Sequence, residues 1–146
     1  ILKKIKIHSD INDLRVMNEK KFDYIVSNSV VEHISDIKGF LTALSRYDSL
    51  HTKHIHSIDF SNHSSGIYDY SKSRLYLKRN HKDLNLLRPS EVLNYFENIF
   101  KKEFIFLKYL SDDKNLSLTI HEDWEEHSHD DLITLTGFII SKNYND

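Results

Sequence analysis

Phe22-Asp23-Tyr24-Ile25-Val26-Ser27-Asn28-Ser29-Val30-Val31-Glu32-His33-Ile34 is the stretch whose reading decides the fold. Its opening apolar run stops abruptly at Ser27-Asn28, which marks a buried strand over residues 22–27. Beyond it, Ser35-Asp36 is a helix start signal. Ile37, Phe40, Leu41 and Leu44 follow at i, i+3, i+4 and i+7, one apolar stripe on a helix over residues 36–47. A carboxylate, Glu32, and an imidazole, His33, therefore sit just past the carboxyl end of a strand. In open α/β sheets that end is where ligands bind.

Working outward, Ile5 and Ile7 alternate with polar residues over 4–8, a further strand, and residues 11–21 are a polar connection with Leu14, Val16 and Met17 resting on the sheet. Residues 53–60 read as a strand with Ile55 and Ile58 at least partly buried, and 62–66 as a turn. Residues 68–87 mix tyrosines with Lys and Arg and are expected to form an insertion of short helix and loop. Pro89-Ser90-Glu91 opens a second helix, with Ser90 as N-cap and Val92, Leu93, Phe96, Ile99 and Phe100 on its core face. Residues 103–110 and 132–141 are strand-like and expected to pair antiparallel at one sheet edge. Strands alternating with helices give an α/β fold class, a mainly parallel sheet closed by that edge hairpin.

Composition narrows the functional classes. A chain of 146 residues is one domain's worth, and the expectation is a single domain over 1–146. The formal charge of −2 argues against bulk attraction to nucleic acid or an anionic membrane surface. No apolar run approaches the roughly 18 residues of a membrane span. Without cysteine there is neither a disulfide nor a thiolate metal site, which suits a reducing cytoplasm. Opening on Ile1 rather than Met is what a fragment or a processed chain would show. With Gly 3 and Pro 1 in the whole chain, no glycine-rich phosphate loop can be assembled within it.

The run F-D-x-I-x-S-x-x-V-x-E-H-I over residues 22–34 resembles the fourth conserved strand of class I S-adenosylmethionine-dependent methyltransferases. Ile5-Lys6-Ile7-His8-Ser9-Asp10 resembles the family's third strand and its adenine-side acid. His56-Ser57-Ile58-Asp59-Phe60-Ser61-Asn62-His63 and Asn85-Leu86-Leu87-Arg88-Pro89-Ser90-Glu91 are similar to the H-x-I-D-x-x-x-H and N-x-L-R-x-S-E runs of one branch. The likeness begins in the middle of the family's fold: its glycine-rich cofactor loop and ribose-binding acid have no counterpart here. Its Pro-Gly-Gly turn before the fifth strand is replaced by Tyr47-Asp48-Ser49-Leu50-His51-Thr52-Lys53.

What the resemblance implies is a partial Rossmann-like methyltransferase fold ending in a helix and a hairpin, and S-adenosylmethionine as cofactor. Asp10 and Ile11 would lie beside the adenine. Ser27 and Asn28 would line the methionine part, where a strand-end carbonyl accepts from an ammonium group, and Glu32 would organise the same region. His63, His33 and Asp59 are the catalytic candidates, since imidazole is the side chain best poised to take a proton near neutral pH. The acceptor would be a small molecule or a saccharide. The alternative is a non-catalytic, truncated domain acting through binding or oligomerisation, a homo-oligomer or partner covering an exposed sheet edge. A histidine-rich metal-binding protein is the third class: the chain has ten histidines, His54 and His56 share a strand face, and His121, His127 and His129 lie in an acidic run. Those spacings fit no standard metal site, and the acidic run reads more simply as a solvated loop.

Overall fold

The computed structural model describes residues 21–61, 84–111 and 122–142. The strand expected over 4–8, the turn over 62–66, most of the 68–87 insertion, and the candidate residues Asp10, Ile11 and His63 lie outside them. The described chain runs β1 (Tyr24–Asn28), a 3-10 turn (Val31–His33), α1 (Ile37–Ser45), β2 (Lys53–Asp59) and α2 (Pro89–Phe100). It then continues through β3 (Phe104–Ser111), a second 3-10 turn (Glu122–Trp124), a single helical turn α3 (His129–Leu132) and β4 (Thr134–Ser141). This is an α/β arrangement with a four-stranded mixed sheet in the order β1-β2-β4-β3.

The sheet departs from the expectation of mainly parallel strands. Among the described residues β1 pairs parallel with β2, while β2–β4 and β3–β4 are antiparallel. The strand–helix alternation holds only as far as α2. After it the chain folds back as the expected hairpin, but β4 enters the sheet between β2 and β3 and leaves β3 on the edge. Gly137 permits the close passage of these strands. A Cβ there would run into the Phe106 ring and meet the Leu107 carbonyl at 2.9 Å.

Helix α1 forms where its apolar stripe placed it, and Ile37, Leu41 and Leu44 are buried. Asp36 is the N-cap, its side chain accepting from the Gly39 N–H at 2.9 Å. The start of α2 corrects the sequence reading. Arg88, not Ser90, is the N-cap, because Pro89 at the first helical position requires an extended residue before it, and Arg88 sits at φ −95, ψ 163. The Arg88 N–H donates to Glu91 Oε2 at 2.8 Å, so Glu91 serves the helix start.

Both long helices pack on one face of the sheet. Ile25, Ile58 and Ile139 meet Leu41, Val92, Phe96 and Phe100 in the main core. Phe96 stacks at tilted or edge-on angles on Phe100 and Phe104, with centroids 5.7 and 5.4 Å apart. The other face is different. The strand registers place Tyr24, Val26, Ile55, Leu107 and Tyr109 together there, and all five are exposed. Ile55 was expected to be at least partly buried; at 37% exposure it belongs to this open face, whereas Ile58 on the opposite pleat is buried.

Candidate functional site

Because β1 and β2 are parallel, their carboxyl ends lie at the same end of the sheet. The chain leaves β1 through Ser29, which adopts a left-handed φ of 50 and donates its N–H to the Ser57 carbonyl at 3.0 Å. A non-glycine residue there stores strain, and the turn it makes carries the chain directly into the Val31–His33 turn. Leu86, across the site, has φ 55.

A shallow cleft opens at this end, with Glu32, Asp59, Ser61, Asn85, Arg88 and Trp124 among its walls. Glu32 is only 4% exposed. Its Oε1 accepts a long bond from the Asp59 N–H at 3.4 Å, and its Oε2 has no hydrogen-bond partner among the described residues. Burial, and to a smaller extent the charge of Asp59, pushes the Glu32 carboxyl above the usual range, although backbone N–H donors and His33 pull the other way. Asp59 Oδ1 accepts from the Ser61 N–H at 2.8 Å.

Two of the segments that carry the sequence resemblance, residues 22–34 and 85–91, meet here. The Asn85 amide donates to the carbonyls of Val31 at 2.7 Å and Ile34 at 3.0 Å, and its backbone N–H donates to the Glu32 carbonyl at 2.8 Å. Asn85 thus clasps the Glu32-His33 turn from both sides. Three residues on, Arg88 is buried, and its Nη2 donates to the carbonyls of Asp131, Leu132 and Thr134 at 2.7, 3.0 and 2.6 Å. Its Nη1 donates to the Phe60 carbonyl at 3.1 Å, and the guanidinium lies over the Phe60 ring. Arg88 is therefore an internal clamp.

The candidates separate into three groups. Glu32 and Asp59 line the cleft. Ser27 and Asn28 end β1 on opposite pleats: Asn28 is exposed, and the half-buried Ser27 turns its hydroxyl to His56 Nδ1 at 2.8 Å. His33 is exposed on the 3-10 turn and is not among the cleft's walls.

The acidic run was expected to be a solvated loop. Within its described part, Asp131 is buried, accepts from the Ser90 N–H at 3.0 Å and hydroxyl at 2.7 Å, and lies 3.0 Å from His127 Nδ1. Trp124 is also buried, with Leu132. Among the described residues no three His, Asp or Glu side chains are grouped to hold a metal ion. None of the described helices is long and apolar enough to cross a membrane.

The sequence reading missed Trp124 as a wall of the cleft, Asp48 as the partner of His54, and Lys102 as the partner of Asp48. It placed His54 and His56 on one strand face, and the signal that this face is the core was Ile58 in the same i, i+2, i+4 series. Scans of protein-family models, curated proteins and solved structures return no match for the chain.

Arg88→Met should remove the donor to four carbonyls and destabilise the protein by on the order of 3 kcal/mol in urea unfolding. Arg88→Lys should recover little, since an ammonium lacks the planar fork. A loss below about 0.5 kcal/mol for the Met variant, the range of ordinary surface changes, would contradict the clamp. Glu32 carries a signed pH dependence. A raised carboxyl pKa means that its contribution is favourable below the unfolded value and is lost as pH rises through the folded value. Glu32→Gln should therefore be more stable than the parent at neutral pH, with the gain shrinking as pH falls into the carboxylate range. A gain that grows on acidification would refute the burial of Glu32.

Proposed function

We propose that this chain is a methyltransferase-like domain. Its cleft at the carboxyl ends of β1 and β2 would serve methyl transfer from S-adenosylmethionine to a small-molecule or saccharide acceptor. The observation that carries the reading is the clasp of Asn85 on the carbonyls of Val31 and Ile34. The E-H and N-x-L-R-x-S-E runs, far apart in sequence, were each singled out by resemblance to one family, and in the fold they build a single site. The closing helix and hairpin, α2 followed by β3 and β4, also accord with that likeness.

The described residues fit part of the cofactor. Ser27 and the exposed strand end at Asn28 offer acceptor groups to an ammonium, and Glu32 Oε2, without a partner among the described residues, is an acceptor suited to a ligand donor. When bound, the cofactor would supply a methyl group on a sulfonium that is already a strong electrophile, so the protein's task is alignment and desolvation. Of the proposed bases, His33 stands on the exposed turn and Asp59 on the cleft wall. Glu32 lies beside Asp59 with its proton affinity raised, which suits it to take a proton from an acceptor hydroxyl.

Calorimetric titration with S-adenosylhomocysteine tests the reading. Micromolar binding, weakened about tenfold by Ser27→Ala through loss of one hydrogen bond to a charged donor, is the expected result. Folded protein that gives no heat of binding would contradict it.

A second reading, a non-catalytic domain acting through association, is favoured by the exposed face of Tyr24, Val26, Ile55, Leu107 and Tyr109. Under that reading, sedimentation should report an oligomer that dissociates when Val26 is replaced by Lys. A monomer at every concentration would remove self-association.

A further inference from the structure

A line of hydrogen-bonding groups crosses the apolar core from one end of the sheet to the other. Asp48, in the connection between α1 and β2, has its Oδ1 2.8 Å from His54 Nε2 and 2.6 Å from Lys102 Nζ. His54 Nδ1 faces His56 Nε2 at 3.4 Å, the longest link, and His56 Nδ1 faces Ser27 Oγ at 2.8 Å. The two rings are 0% and 1% exposed and pack on Phe100 and Phe96, with centroids 4.3 and 4.7 Å apart. Aliphatic side chains would fill this space without the desolvation cost of two imidazoles.

The line has a direction. A neutral imidazole carries one donor and one acceptor nitrogen. Burial acts to raise the Asp48 carboxyl, but the hydrogen bonds from His54 and Lys102 outweigh it and leave the pKa below the ordinary range. Asp48 is therefore a carboxylate and can only accept. Facing that carboxylate, the neutral ring of His54 carries its proton on Nε2, which leaves Nδ1 bare to accept from His56 Nε2–H. His56 Nδ1 is then bare in turn, and the Ser27 hydroxyl donates to it. Burial, followed by the nearby His54, lowers the pKa of His56 to about 3, which keeps that ring neutral.

We propose that Asp48, acting through His54 and His56, fixes the Ser27 hydroxyl proton inward, so that Ser27 offers a ligand only its lone pairs. The carboxyl end of β1 then takes a hydrogen-bond donor at Ser27, an ammonium, amine or hydroxyl, and disfavours a phosphate or carboxylate oxygen there. Asp48, His54 and His56 are positioning residues, since none of them reaches the ligand side. The inference rests on the proposed function only in treating this strand end as the ligand site.

Two-bond proton–nitrogen correlation spectra of protein labelled with ¹⁵N in histidine test the direction at neutral pH. Both rings should be neutral, with the proton on Nε2 of His54 and on Nε2 of His56. Ser27→Ala should leave both tautomers in place, because they are set from the Asp48 end. A proton on His56 Nδ1 in either protein, or an imidazolium at His54, overturns the proposal.

The ligand preference is read by titrating S-adenosylhomocysteine against its deaminated analogue. The amine should bind about tenfold tighter, and the gap should close in Ser27→Ala. Equal binding to the parent protein overturns the donor preference. If neither compound binds, the methyltransferase reading falls, and the tautomers alone decide the inference.

Discussion

One guanidinium holds the candidate site in place. Arg88 reaches the carbonyl of Phe60 just past β2 and those of Asp131, Leu132 and Thr134 around the start of β4, while its own backbone begins α2. These carbonyls lie at or just past the ends of regular elements, where a buried acceptor needs a donor. A planar fork satisfies several of them from one buried point, which neither Lys nor an apolar side chain can do. The start of α2, the end of β2 and the return strand are thereby fixed relative to one another. Asn85, three residues upstream, is carried into reach of the Glu32 turn.

The core of this domain is not uniformly apolar. Its helix-facing side contains His54 and His56, each held by hydrogen bonds within a ring of phenylalanines. A satisfied buried network of this kind is worth less to stability than well-packed hydrocarbon, but it specifies orientation. Ser27 is opposite His56 in the parallel register, so one pleat sets the depth and direction of its hydroxyl. Past the end of the same strand, Glu32 is a buried carboxyl group whose Oε2 has no partner among the described residues. Both features lie at the carboxyl ends of adjoining strands, where the fold is least constrained by its own hydrogen bonding.

Much of this was legible in the residues and some was not. The stripe of Ile37, Leu41 and Leu44, with Asp36 before it, identified α1 because helix periodicity and capping act locally. Ser27-Asn28 marked the end of β1 for a similar reason. Strand direction is not a local property: parallel and antiparallel strands share the same alternation, so the place of β4 inside the sheet could not be read from residues 134–141. Asp131 read as a solvated charge, and the buried role of Arg88 went unread, because their partners, a hydroxyl and carbonyls from distant segments, carry no signature in sequence. The histidines of β2 were visible as a face, and only the packing against Phe96 and Phe100 shows what that face meets.

Amide chemical-shift mapping of the ¹⁵N-labelled chain on addition of S-adenosylhomocysteine addresses the central claim, that the carboxyl ends of β1 and β2 form a cofactor-binding site. The account predicts saturable shifts concentrated at Ser27, Asn28, Glu32, Asp59 and Asn85, with the distant ends of the same strands, at Tyr24 and Lys53, unmoved. Saturable shifts centred elsewhere, or none at millimolar ligand, would contradict it.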